Sequence, residues 1–349
     1  MSRAPASGRF PWHTVIIVVL TAGLIFVFLR SIDVGQAWAA TKRAHVGWII
    51  AAVCVTLQTY ILRAWRWQLL LRPIGRASFR TAFRTTVIGF AASFLLPARI
   101  GEVLRPYLLA RTEGLNATST FATVIVERLI DLCTVLMLFA VALLNPGIDV
   151  GPDVKLAGEF AAAGSIVGLT MLSLLAGHPE RLGRWAASVT GRLPPKLGHT
   201  LQQFVQTFAE GLKVMRSPGH LAGAILWSIP LWLSIALGIM FTSWAFDLAI
   251  PFAGSFVVVG YLAVGVAVPT PGATGGFHTA YLLALTQVFH APASEAGAAA
   301  IVLHLVSFVP VTLLGLLFMW QDGLTLGRLK GMRAEAAASE HGTPAGVGQ

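Results

Sequence analysis

The sequence predicts an all-α polytopic membrane protein, and three observations carry that reading. Hydrophobic residues make up 56% of the 349 and charged residues only 11%, under half the roughly 25% usual in soluble domains. Six runs (10–29, 44–62, 160–177, 217–246, 248–294 and 296–321) lack Lys, Arg, Asp and Glu throughout, and several reach the roughly 20 residues that a helix needs to cross a bilayer. The charges that remain gather between these runs, so the net charge of +10 reads as membrane topology and not as a nucleic-acid patch.

Taken in order, the elements follow from these runs and from the basic loops between them. Residues 1–11 are a short cytoplasmic tail. Helix one spans about 12–30. Ala37-Trp38-Ala39 could pass for a signal-cleavage site, but the apolar run stops at Leu29 and is itself long enough to span, so it is read as retained. Helix two, about 45–70, returns to a loop, 63–84, that holds six arginines and no acid. The next segment, 85–111, starts and finishes among basic residues. A span at about 118–144 leads to the acidic stretch around Asp149 and Asp153. Helix 156–177 comes back to an amphipathic basic linker, 178–216, and helix 219–246 goes out to Asp247. The last helix, about 296–321, leads to a disordered tail, 323–349, with Arg328, Lys330 and Arg333. The positive-inside rule places the basic loops and both termini in the cytoplasm.

Two of these segments are broken. From Thr85 to Ala98 there are fourteen uncharged residues, too few to span, and then Pro97-Ala98-Arg99-Ile100-Gly101-Glu102 interrupts the helix. Residues 254–290 are interrupted at Pro269-Thr270-Pro271-Gly272-Ala273-Thr274-Gly275-Gly276. Non-helical backbone and charge at membrane depth are tolerated only against protein or a water-filled cavity. The expected architecture is therefore about six full spans plus two re-entrant hairpins, some eight hydrophobic segments. The halves, about 12–145 and 156–322, repeat span, span, hairpin, span in inverted orientation. Such paired interruptions point to a binding site. Two short spans joined at 269–276 would give the same inside–outside count.

Three groups of residues could carry chemistry. Arg63 and Arg66 lie three apart on one helix face, flanked by Trp65 and Trp67, a pattern suited to lipid phosphate at headgroup level or to plain topological anchoring. Arg99, Glu102 and Arg105 in the first break are expected to meet Glu127, Arg128 and Asp131. In that scheme Arg99 and Arg105 neutralise Glu127 and Asp131, and Glu102 pairs with Arg128, because unpaired charge there is costly. Pro271, Gly272, Gly275, Gly276 and His278 form the third group, an unwound backbone before a helix N-terminus of the kind that suits phosphate, with His278 able to respond to pH. His304, Cys54 and Cys133 read as core residues. There is no metal-ligand spacing, nucleophile set or nucleotide motif, so no metal, catalytic residue or cofactor is expected.

The ordered set Arg63-Ala64-Trp65-Arg66-Trp67, Leu96 to Glu102 with Arg105, Glu127-Arg128-Leu129-Ile130-Asp131, and Pro269 to Gly275 resembles the transmembrane region of the lysylphosphatidylglycerol synthase, or flippase-like, family over about 12–322. The resemblance implies a bacterial or archaeal cytoplasmic membrane protein that moves a polar or anionic lipid between leaflets, and kinship with the flippase half of aminoacyl-phosphatidylglycerol synthases and with proteins encoded beside hopanoid biosynthesis enzymes. Two positions depart from the family pattern: His278 stands where a glutamate is usual, and Ala273 where a second glycine is frequent. The soluble aminoacyl-transferase domain of the synthases does not follow the last span here. A lipid translocase, partnered by membrane lipid and by lipid-biosynthesis enzymes, is the leading reading. A head-group or glycosyl transferase on a lipid-linked substrate, and a non-catalytic partner of a lipid-biosynthesis enzyme, are the alternatives.

Overall fold

The computed structural model describes residues 12–96, 99–145, 147–148, 151–177 and 217–324. The tail 1–11, the linker 178–216 and residues 325–349, together with Pro97 and Ala98, lie outside the described residues. Every regular element among the described residues is helical.

The first part of the chain holds α1 (Trp12–Arg30), α2 (Val34–Arg43), α3 (Val46–Leu71), α4 (Phe79–Leu95), α5 (Gly101–Glu113) and α6 (Ala117–Leu143). The second holds α7 (Pro152–Gly177), α8 (Pro218–Ala245), α9 (Phe252–Ala267), α10 (Gly276–Val288) and α11 (Ala293–Gln321), with a 3-10 turn at Pro271–Ala273 between α9 and α10. Their starts follow ordinary capping chemistry. The side chains of Asp33, Ser78 and Asn116 accept backbone N–H bonds in the first turns of α2, α4 and α6, satisfying donors that a helix start leaves free.

Helices α3, α8 and α11 are each long and apolar enough to cross a bilayer, and Val18–Arg30 with Val34–Arg43, bent by 77°, makes a fourth if counted as one span. Among the described residues, length and apolarity therefore support three or four spans and do not confirm the expected six. Helix α6, at 27 residues, has the length, but Glu127, Arg128 and Asp131 lower its apolarity. Helix α7 starts with Asp153, Lys155 and Glu159 in its first two turns. Helix one has the expected bounds, Trp12–Arg30, and the chain then turns sharply at residues 31–33 into the short α2, an element absent from the expected order.

The packing is reciprocal. Helices α3 and α8 form the central pair and run antiparallel: the N–H of His45 before α3 bonds the Ala245 carbonyl at the end of α8 at 2.8 Å. The α4–α5 hairpin packs against α11, whereas α9 of the other hairpin packs against α6. Each hairpin therefore leans on the long helix that follows the other. Both hairpins close the same way. A Cβ added at Gly101 would sit 1.7 Å from the Gly89 carbonyl oxygen, and one at Gly276 would sit 2.4 Å from the Gly265 carbonyl oxygen. The arms touch backbone to backbone beside each break, which only glycine permits. Near one end of the bundle Arg84 Nη2 meets Asp322 at 2.6 Å, tying α4 to the end of α11.

Candidate functional site

The charged residues of α3, α5 and α6 converge between the hairpins. On α3 the spacing of three puts Arg63 and Arg66 on one face, and that face turns inward, not to the bundle surface. Arg66 is fully buried. Its guanidinium reaches Asp131 Oδ1 at 2.5 Å and Glu127 Oε1 at 3.1 Å, and donates to Ser228 Oγ at 2.8 Å. The spacing of four on α6 lets Glu127 and Asp131 face it together. Arg105 donates through Nη1 to Glu127 Oε1 at 3.1 Å, and its Nη2 stands 3.1 Å from Oε2 as an ion pair without hydrogen-bond geometry. Its guanidinium lies 3.8 Å above the centre of the Trp67 ring. Trp67, also fully buried, is held by its indole N–H on Thr123 Oγ1 at 3.0 Å. Trp232 of α8 donates to Asp131 Oδ1 at 3.0 Å.

Around this dry layer lies a looser one. Arg63 and Arg128 each stand 3.8 Å from Asp131 Oδ2, Arg128 is 3.9 Å from Glu102, and Arg99 is 4.0 Å from Glu102. These are ion pairs without hydrogen-bond contact. Arg63 and Arg128 both approach the face of Phe90. The cluster thus sets five arginines (Arg63, Arg66, Arg99, Arg105, Arg128) against three carboxylates (Glu102, Glu127, Asp131), a surplus of two positive charges.

The surplus faces a cavity of about 300 Å³ between the two hairpins. Arg63, Arg99, Arg105, Arg128 and Glu102 line one side, and Val266, Thr270, Gly272, Ala273 and Phe277 from the second hairpin line the other. Phe90, Phe94 and Phe308 supply an aromatic flank, with Phe94 and Phe308 edge to face at 4.2 Å. The two breaks approach each other here: a Cβ on Gly272 would be 3.8 Å from the Phe94 carbonyl oxygen.

Several expectations need correction. Arg99 does not neutralise Glu127 or Asp131. Arg105 of α5 takes Glu127, and Arg66 of α3 takes Asp131, since both α5 and α3 pack on α6. Arg99 instead adopts φ 50°, a left-handed conformation costly for a side chain with a Cβ, and donates to the Val266 carbonyl of α9. Arg66 and Trp67 are sealed inside, so they are not available at headgroup level; Trp65, 44% exposed, is the member of that motif that faces outward. The Glu102–Arg128 pairing is present at the distance given above. Cys133 is buried but Cys54 is exposed, since a lipid-facing helix side is as apolar as a core.

The second break is built for packing as much as for binding. Gly272 and Ala273 have φ of 58° and 56°, so the frequent family glycine at 273 matches a left-handed backbone. Of the second-break candidates Gly272 lines the cavity, whereas Pro271, Gly275, Gly276 and His278 do not. Gly275, φ 85°, packs against Leu24 of α1, and Gly276 against Gly265. The Gly275 N–H is already bonded to His278 Nδ1 at 3.3 Å, which occupies the end of α10 expected to meet phosphate. His278 lies beside His304, ring centres 4.7 Å apart and planes tilted by 31°, and His304 Nε2 donates to the Gly272 carbonyl at 2.8 Å. His304 is therefore a strut for the break as well as a packed ring. Ser228 and Trp232 lie within an uncharged run and gave no signal in the sequence.

The family model described as the lysylphosphatidylglycerol synthase transmembrane region matches residues 14–315. The chain belongs to this family. Among curated relatives, two proteins called UPF0104 membrane protein, both from Methanothermobacter thermautotrophicus, are 27% identical over 78% of this chain and 83% of the relative, and 25% identical over 86% and 93% respectively. Glycosyltransferase AglD of Haloferax volcanii is 28% identical over 39% of this chain, a stretch that covers 23% of that protein. These relatives of this member of the lysylphosphatidylglycerol synthase transmembrane-region family are archaeal.

Proposed function

We propose that this member of the family moves a polar lipid between leaflets, with the phosphate of the head group held in the cavity between the hairpins. The observation that carries the reading is the two-charge surplus of arginine at a cavity whose remaining lining is uncharged and mostly apolar, with a few hydroxyl side chains such as Thr56, Thr59 and Ser307. An anionic head group would balance that surplus, while the apolar flank would suit the glycerol and acyl region. The reciprocal packing of each hairpin on the other half's long helix supports an inverted repeat, with alternating access arising when one half moves against the other. On this reading the protein resides in the cytoplasmic membrane with both termini inside.

The test is a leaflet-resolved assay with purified protein in liposomes containing fluorescent phosphatidylglycerol or a zwitterionic or neutral analogue. Protein-dependent movement selective for the anionic lipid is expected. Replacing Arg128 with Ala removes a half-exposed cation from the cavity wall. A hydrogen bond to a charged group is worth about 1.5–3 kcal/mol, so transport should fall at least tenfold, while thermal stability changes little. Pairing Glu102→Ala with Arg128→Ala should restore expression if it is impaired, but not transport; recovery of both would reduce the outer layer to a structural role.

Topology offers an independent check. A membrane-impermeant maleimide applied from outside should label a cysteine placed at Gly151 and spare one placed at Arg76, both exposed positions, in a background lacking Cys54 and Cys133. The opposite pattern would invert the assignment and remove the basis for the repeat.

The similarity to a protein named a glycosyltransferase favours a second reading, transfer onto a lipid-linked acceptor at the same cavity. Incubation of the purified chain with a labelled sugar-nucleotide donor and polyprenyl phosphate would detect it, and label appearing in the lipid fraction would displace the transport reading.

A further inference from the structure

Arg99 crosses between the two hairpins. It follows the first break, and its guanidinium donates to the Val266 carbonyl in the last turn of α9. That carbonyl is one of the acceptors a helix end leaves unpaired. The Thr270 N–H that would have continued α9 onto it turns away to the Val268 carbonyl at 2.8 Å. The Arg99 side chain is 48% exposed on the cavity wall, and Glu102, 4.0 Å away, is beyond hydrogen-bond reach. The backbone at φ 50° holds the residue in this unusual pose. A permanently charged donor is thus committed to a neutral acceptor, beside a cavity with surplus positive charge.

We propose that Arg99 is an anion-released latch between the hairpins. A phosphate group entering the cavity takes the guanidinium from the Val266 carbonyl, because charge-assisted hydrogen bonds to an anion are stronger than those to a neutral carbonyl. The second hairpin is then free to move relative to the first. The proposal rests on the reading of the cavity as a phosphate site and adds how occupancy would be coupled to motion. A ligand shifts such an equilibrium only by its differential affinity for the two states, and here the exchange of acceptors supplies it.

The test is a distance measurement between spin labels on cysteines placed at Leu95 and Val264, exposed positions on the two hairpins, with Cys54 and Cys133 replaced by Ala. The full chain is reconstituted in nanodiscs of phosphatidylcholine, with and without phosphatidylglycerol, and in phosphatidylcholine with added inorganic phosphate. Phosphatidylglycerol should raise the ratio of changed to original distance about tenfold, equivalent to about 1.4 kcal/mol. A response to inorganic phosphate alone would keep the latch and assign its anion to the soluble pool. Arg99→Ala should show the changed distance without any anion and respond no further. Should that variant not fold, Arg99→Gln, which keeps a donor for the carbonyl but loses the charge, should hold the original distance under every condition. Unchanged distances in the unmutated chain, or an undiminished lipid response in Arg99→Ala, would overturn the proposal. Lipid movement without any distance change overturns the latch alone. A distance response without lipid movement keeps the latch and counts against translocation.

Discussion

Replacing Arg66 with Ala is expected to cost the protein its fold and not merely its activity. Arg66 is fully buried, donates to Asp131 and forms an ion pair with Glu127 at 3.1 Å. Its loss would leave Asp131 with Arg63 and Arg128 at 3.8 Å and no guanidinium in hydrogen-bond contact, while Glu127 would keep Arg105. Breaking a buried pair by removing one partner typically costs about 3–5 kcal/mol, a large share of a typical total stability of about 5–15 kcal/mol. The expected result is little monodisperse protein on size exclusion and a large drop in melting temperature for what remains. The double variant Arg66→Gln with Asp131→Asn removes one charge of each sign and leaves the Arg105–Glu127 pair intact. It should recover most of the loss. An Arg66→Ala variant as stable as the unmutated chain would show that the dry layer is not what holds α3 to α6.

Much of the fold was legible because membrane solvation is a severe filter. Charge-free runs located the long helices to within a few residues, and the prolines and glycines at 97–101 and 269–276 marked both breaks. The set of charged residues was also readable, since charge in apolar surroundings demands a partner. Which residue pairs with which was not. Arg66 and Arg99 both follow from sequence as cations near the bundle, yet the rotation of α3 sends the first inward, and a left-handed backbone sends the second to the opposite hairpin. Apolarity recovers only part of the span count: three charges in α6 belong to the buried cluster, so composition alone does not tell whether such a helix crosses. Ser228, Trp232 and the glycine contacts carry no charge pattern at all, so only the packing of α8 and of the hairpin arms brings them to light.

Those glycine contacts support the second large prediction. At the first break Gly101 opens α5 against Gly89 of α4, and at the second Gly276 opens α10 against Gly265 of α9. An added Cβ at Gly101 would also lie 2.5 Å from Ser93 Oγ, and one at Gly265 would meet Ala280 Cβ at 2.5 Å. Backbone is among the atoms met at each of these positions, so no rotamer change relieves the clash and the arms must part. Overpacking a tight contact costs about 1–3 kcal/mol, and here the displacement falls next to a break whose position sets the cavity wall. Gly101→Ala and Gly276→Ala should each lower the melting temperature, and each should suppress lipid movement even in protein that still folds. Gly151→Ala, at a position where an added Cβ meets nothing within 4 Å, serves as the control and should leave both unchanged. The paired design makes the outcome informative about the repeat. If the hairpins are equivalent devices, the two variants should fail in the same way and to a similar degree. A severe loss from Gly101→Ala beside a silent Gly276→Ala would mean that the second break tolerates separation of its arms, and that the two hairpins, although closed by the same contact, do not share one mechanical role.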